Sequence, residues 1–308
     1  MNAREEARTA LRIYQSRTGL NLPELAARMG YAPRTLIQFV SQARYGDAEG
    51  ESAAETVQRF IAENPPPAPI PPPGKLYPTQ NLRVCDEMIR YCLGGRWGVL
   101  YGPAGGGKSF NFECRAVQAF ERSIEPAIVY IYTSPEISPH ALLKRMAAGL
   151  GAPYISHVDG LRENILWMLR RRKEPVVLIL DEAQNLRGRI DTIEVLREIG
   201  DRGRAGVLVT GHDELFQVFQ PRKGMQFEQW RSRIDQKKRR VLGLSETEAR
   251  EILLGELGSL PEQTMKAFVE PATVEDFQTH KSYVSARRLS NAIKDFRELR
   301  GKGTGKVH

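Results

Sequence analysis

Apolar residues recur at three- and four-residue intervals over positions 7–14, 22–29, 36–40 and 57–61, a spacing that gathers them on one side of a helix. The chain therefore opens with four short predicted helices. Pro23 suits the first turn of the second helix, Gly30 its C-terminal stop and Pro33 the start of the third. The turn left between them, residues 30–32, has helix-turn-helix spacing. Leu36, Ile37 and Val40 are assigned to the core side of the third helix. Residues 64–74 then break every periodicity: seven prolines in eleven positions exclude helix and interior strand and make a stiff, polyproline-like spacer.

Beyond the spacer, strands alternate with helices. Strands are predicted at 98–101, 127–132, 175–180 and 206–210, and helices at 108–121, 140–150, 161–172 and 191–201. The runs at 176–180 and 207–209 are apolar without alternation, as strands covered on both faces must be, so the order implies parallel βαβ units. From residue 245 to about 299 only helices are expected, and 301–308 reads as a flexible tail. The fold class is α/β, with a small all-α unit in front. Its divisions are 1–63 (helix-turn-helix unit), 64–76 (linker), 77–243 (α/β core), 244–300 (helical unit) and 301–308 (tail).

Composition narrows the class. Of 308 residues 41% are hydrophobic and 27% charged, as in ordinary globular proteins, and no stretch approaches the roughly 18 apolar residues of a membrane span. The first ten residues mix Arg and Glu without an apolar segment, so a cytoplasmic protein that does not engage membranes is expected. The three cysteines, Cys85, Cys92 and Cys114, form no close pair and read as reduced, packed thiols; the five histidines show no metal-ligand spacing. Net charge is +8, of which residues 220–308 supply +6, with 18 basic and 12 acidic side chains. Such an excess favours a polyanionic partner.

The most specific signal is Gly102-Pro103-Ala104-Gly105-Gly106-Gly107-Lys108-Ser109, which matches GxxxxGK[ST] between a predicted strand and a predicted helix. Its glycines let backbone N–H groups turn toward phosphates, and the helix N-terminus adds a favourable dipole. Lys108 would contact the β and γ phosphates of ATP, and Ser109 would ligate Mg²⁺. At the end of the apolar run 176–180 stand Asp181 and Glu182. Asp181 would hold Mg²⁺ through its water shell, and Glu182 would orient or deprotonate the attacking water.

With two adjacent acids at that strand end, the region from about residue 81 to 300 resembles an AAA+ ATPase with a helical lid. The resemblance implies a polar sensor at the end of the next strand, where Thr210 is the first candidate and His212 the second. Gln229-Trp-Arg231-Ser-Arg233 resembles the segment that delivers an arginine finger to a neighbouring subunit, with Arg233 favoured over Arg231. Ser285-Ala-Arg287-Arg288-Leu289 resembles the second sensor, with Arg287 favoured over Arg288.

In the third predicted helix and just after it, Arg34, Thr35, Gln38, Ser41, Gln42 and Arg44 offer polar groups to a DNA groove; a protein-docking role is the alternative. The run Lys237-Lys238-Arg239-Arg240 is a second candidate DNA contact, whereas the basic run 170–173 suits a helix C-terminus. A helix-turn-helix unit, a linker and a compact ATPase in this order resemble the family of the phage Mu B transposition protein. That resemblance implies ATP-dependent, largely non-specific binding to double-stranded DNA as a homo-oligomeric ring or filament. It also implies DNA-stimulated hydrolysis, capture of target DNA and activation of a transposase. Alternatives are a replication initiator or helicase loader, and an ATP-gated transcriptional regulator.

Overall fold

The computed structural model describes residues 3–18, 20–41, 47–64, 74–122, 127–150, 152, 155–172, 174–219, 232–234 and 237–303. The proline-rich positions 65–73, Gln42, Arg44 and Arg231 lie outside them.

Four helices form the N-terminal unit: α1 (Ala3–Thr18), α2 (Leu22–Arg28), α3 (Pro33–Val40) and α4 (Asp47–Glu63). Asn21 and Glu24 close a capping box at the start of α2, each side chain accepting from the other's backbone N–H at 2.9 and 2.8 Å. Gly30 takes φ +76° just past α2, and Pro33 opens α3, as their positions in the sequence imply. Leu11, Leu25, Leu36, Phe39 and Val57 build a separate hydrophobic cluster for this unit. Ile37 departs from expectation. It is 44% exposed, and Phe39 fills the core instead, because the buried stripe of α3 runs through 36, 39 and 40.

The central sheet contains β1 (Trp97–Tyr101), β2 (Ile128–Tyr132), β3 (Val177–Asp181), β4 (Gly206–Gly211) and β5 (Lys238–Arg240) in the order β2-β3-β4-β1-β5, all parallel. Helices α5 (Gln80–Leu93) and α6 (Lys108–Arg122) cover one face, packing Cys85, Met88 and Phe112 on Leu100, Ile179 and Leu208. On the other face α7 (Pro139–Leu150), α8 (Val158–Arg171) and α9 (Ile190–Gly203) pack Leu143, Ile165 and Leu196 on Val99, Leu178 and Val209. Both faces are dry, which explains why β3 and β4 lack alternation. All three cysteines are buried and unbridged, and burial pushes the Cys85 and Cys92 thiols up to about 12.

After the sheet come α10 (Glu246–Leu257), α11 (Glu262–Ala272), β6 (Thr273–Glu275), β7 (Ser282–Val284) and α12 (Ala286–Gly303), with their own core of Leu253, Met265, Phe268, Leu289 and Ile293. Two expectations fail here. The lid is not purely helical, since β6 and β7 form an antiparallel hairpin too short to show a strand period. The chain is also still helical at 301–303, where a flexible tail was expected.

The basic run at 237–240 is part of the sheet. Residues 238–240 are the fifth strand, paired with Val99, Leu100 and Tyr101. Arg240 donates four hydrogen bonds, two to Asp213 and two to Asp276, at 2.7–3.0 Å, so it clamps the sheet to the lid hairpin. Lys237 and Arg239 both pair with Glu87, at 2.6 and 3.5 Å. At the other basic run, Arg170 donates to the Arg202 carbonyl, Arg172 to the Leu150 carbonyl, and Arg171 lies over the Trp167 ring.

Candidate nucleotide site

The site forms where β1, β3 and β4 end. Side chains alternate along a strand, so Asp181 shares a face with Val177 and Ile179, and Thr210 shares that same face with Leu208. The face is the one α6 covers, and α6 begins with the phosphate loop. Parallel pairing brings the strand ends level, so residues distant in sequence converge.

The loop itself is held in an open curve. Gly105 and Gly107 take φ +79° and +81°, a region side chains rarely adopt. A Cβ on Gly102 would lie 1.9 Å from the Val241 carbonyl oxygen, so only glycine allows this approach. Asn81, buried on α5, donates to the carbonyl oxygens of Gly106 at 2.8 Å and Gly243 at 3.2 Å, tying the loop to the chain that leads into the lid. From the lid side the Ala286 N–H, at the start of α12, donates to the Gly105 carbonyl at 2.9 Å. Lys108 is 7% exposed and donates to the Gly102 and Pro103 carbonyls at 2.8 and 2.9 Å. Its desolvated ammonium has a depressed pKa and retains a third N–H for a phosphate oxygen. Ser109 follows in the first turn of α6.

Asp181 is 1% exposed. Its Oδ2 accepts from the Tyr130 hydroxyl at 2.7 Å, while its Oδ1 is buried with no partner among the described residues. The Thr210 hydroxyl, also fully buried, is the second unpartnered oxygen there. Orphaned buried oxygens are rare because desolvation goes uncompensated. An anionic oxygen and a hydroxyl beside a phosphate loop fit hydrated Mg²⁺ and a polyphosphate. Among the described residues there is no group of three or more His, Cys, Asp or Glu that could hold a metal ion.

Glu182 stands beside Asp181 in a left-handed conformation, φ 55°. Such strain in a residue with a side chain is characteristic of functional positions. Its carboxylate accepts from the Gln184 amide and lies 3.4 Å from His212 Nε2. The His212 contact is the main cause that lowers the Glu182 pKa and, reciprocally, raises that of His212. The second sensor candidate therefore touches the candidate base, while the first, Thr210, is fully buried.

The arginines separate by position. Arg287 follows Ala286 directly, and its Cβ is 3.6 Å from where a Cβ on Gly105 would lie, whereas Arg288 donates to the Pro271 carbonyl at 3.4 Å. Arg233 is held by Asp201 through two bonds of 3.0 and 2.8 Å. Asp201 lies in the last turn of α9, just before β4 begins, which puts this pair at the opposite end of the sheet from the phosphate loop. Arg34 and Ser41 are exposed on and after α3, and Thr35 and Gln38 are half-buried beside them. Asn81, Tyr130 and Gln184 were not foreseen. Their roles follow from contacts across the fold, and no local motif marks them.

Residues 93–219 match the family model described as an AAA domain. Strand order, phosphate loop and lid make this the P-loop AAA+ fold. No curated protein matches the chain. Among solved structures, Cdc6p from Pyrobaculum aerophilum is similar at TM-score 0.55 and 19% identity, covering 77% of this chain and 65% of its own. The Aeropyrum pernix ORC1 protein in complex with DNA gives 0.52 and 18%, covering 76% and 63%. The Aeropyrum pernix ORC2 protein, in ADPNP–ADP complexes, gives 0.51 and 20%, covering 74% and 66%. The chain thus spans less than two thirds of each, and at these identities the likeness is one of fold.

Proposed function

We propose that this chain is a Mg²⁺-dependent ATPase that assembles on double-stranded DNA when ATP is bound and lets go after hydrolysis, acting as a replication initiator or helicase loader does. The observation that carries the ATPase reading is the pair of buried, unpartnered oxygens on Asp181 and Thr210 beside Lys108 and the glycine-rich loop. Bound Mg²⁺ would supply charge neutralisation at the β and γ phosphates. The chain's own groups do the rest. Loop N–H groups and Lys108 hold the phosphates, Ser109 and Asp181 fix the ion's shell, Thr210 meets the γ-phosphate side, and Glu182 accepts a proton from the attacking water.

The DNA part of the reading is supported by the fold shared with the ORC1 protein solved in complex with DNA and by the C-terminal excess of positive charge. Arg233, far from its own phosphate loop, supports a finger acting on a neighbouring subunit, a homo-oligomer in which hydrolysis and assembly are linked. A cytoplasmic site of action agrees with the described helices, none of which is long and apolar enough to cross a membrane.

A second reading, capture of target DNA for a transposase, is favoured by one observation: a four-helix unit with a capped helix-turn-helix pair precedes the ATPase core. In that reading Arg34, Thr35, Gln38 and Ser41 approach the groove.

Electron microscopy of the protein on random-sequence duplex DNA with ATP, ADP or no nucleotide tests the proposal. Rings or filaments that require ATP and persist in Glu182→Gln, whose turnover falls about a hundredfold or more, are expected. DNA binding indifferent to nucleotide would overturn it. Stimulation of the assembled protein's partner reaction, helicase loading or transposase strand transfer, then separates the two readings.

A further inference from the structure

Tyr130 sits on β2, a strand that supplies none of the groups assigned to ATP in the reading above. In the parallel register it lies opposite Ile179, two residues before Asp181 on the same face of β3. Its ring packs with the α5–α6 side of the core, and its hydroxyl donates to Asp181 Oδ2 at 2.7 Å.

A carboxylate has two equivalent oxygens and turns about a soft torsion. At Asp181 the equivalence is broken: one oxygen is bound to a phenol, and the other is buried with no partner among the described residues. Glu113, on α6, crowds the same place. It interacts with both Tyr130 and Asp181. The phenol thus gives the Asp181 carboxylate one orientation in a site where a second carboxyl competes.

We infer that Tyr130 is a positioning residue that aims Asp181 Oδ1 at the Mg²⁺ of the bound nucleotide and so sets the Mg²⁺ dependence of ATP binding. The inference rests on the ATPase reading and deepens it. Tyr130 would touch neither nucleotide nor metal; it acts through Asp181, as outer groups around metal ligands do.

Tyr130→Phe removes one oxygen and leaves the ring in the core. Binding of a fluorescent, non-hydrolysable ATP analogue to the full chain would be followed while MgCl₂ is titrated from an EDTA baseline, for wild type and variant, with the melting temperature of each. The expected result is an Mg²⁺ midpoint raised about tenfold in the variant, with EDTA-baseline affinity unchanged and the melting temperature lowered by only a few degrees for the lost hydrogen bond. An unchanged midpoint would overturn the inference. So would a loss of affinity already present in EDTA together with a larger fall in melting temperature, since that pattern belongs to a packing role. Wild-type binding that ignores Mg²⁺ would instead sink the ATPase reading, and this inference with it.

Discussion

Glu182 is held in a strained backbone conformation with its carboxylate shared between Gln184 and His212, so the state of one imidazole bears on the reactivity of the candidate base. His212 has a raised pKa, chiefly from the Glu182 contact, with Asp181 adding and Lys108 opposing. The ion pair is therefore complete at pH below the unfolded histidine value of about 6.5, and it disappears as pH rises through the higher folded value. Its contribution to stability follows the same course, present at low pH and lost on that rise. Loss of the imidazolium frees the Glu182 carboxylate, so ATP turnover should climb across that window. His212→Gln should flatten the climb in a pH–rate profile, and an unchanged profile would show that His212 does not govern the base. At this scale the phosphate loop and the acid pair were legible because their chemistry demands fixed residue types at fixed local spacing. Tyr130, Asn81 and Gln184 were not, since a tyrosine, an asparagine or a glutamine takes on meaning only from what the fold sets against it.

Among the elements, β5 shows how one sequence pattern supports two readings. Lys237 to Arg240 carries four charges in a row and no apolar period, so it reads as a solvated, polyanion-facing run. Three residues suffice for an edge strand beside β1, and Arg240 then reaches both Asp213, just beyond β4, and Asp276, in the turn of the lid hairpin. Asp276 is only 3% exposed and is held far below the usual carboxylate range, first by Arg240. Asp213 in turn acts on Lys108. The clamp thus connects the nucleotide side of the sheet to the lid. Arg240→Ala should leave Asp276 without its cation, cost about 2 kcal/mol, and speed amide hydrogen exchange over 273–284 far more than over β3. Exchange over 273–284 that is the same in Arg240→Ala as in wild type would mean that the hairpin is held by packing alone. The hairpin escaped the sequence reading for a related reason: three-residue strands are too short to display alternation, and their pairing is fixed by Leu244 and the Arg240 clamp.

For the whole molecule, charge and architecture point outward. Residues 220–308 supply +6 of the net +8, yet in the structure Arg240 and Lys237 are neutralised within the fold, so composition alone overstates the cationic surface offered to DNA. Arg233, bound to Asp201 at the end of the sheet remote from the phosphate loop, must exchange partners to meet a neighbour's phosphate. Arg233→Ala should therefore bind ATP with wild-type affinity but hydrolyse it slowly, and adding it to wild type should lower turnover more than dilution predicts. Turnover that merely averages would argue against a shared site. The sequence by itself determined the α/β class and set the glycine-rich loop and the acid pair at strand ends, because periodicity and short motifs are local and the physics behind them acts within a few residues. The tertiary structure alone decided that a basic run is a strand, that Asp181 keeps one buried oxygen bare while Tyr130 holds the other, and that Arg240 joins sheet to lid. Each of these depends on partners tens to hundreds of residues apart, whose meeting is set by strand order and packing.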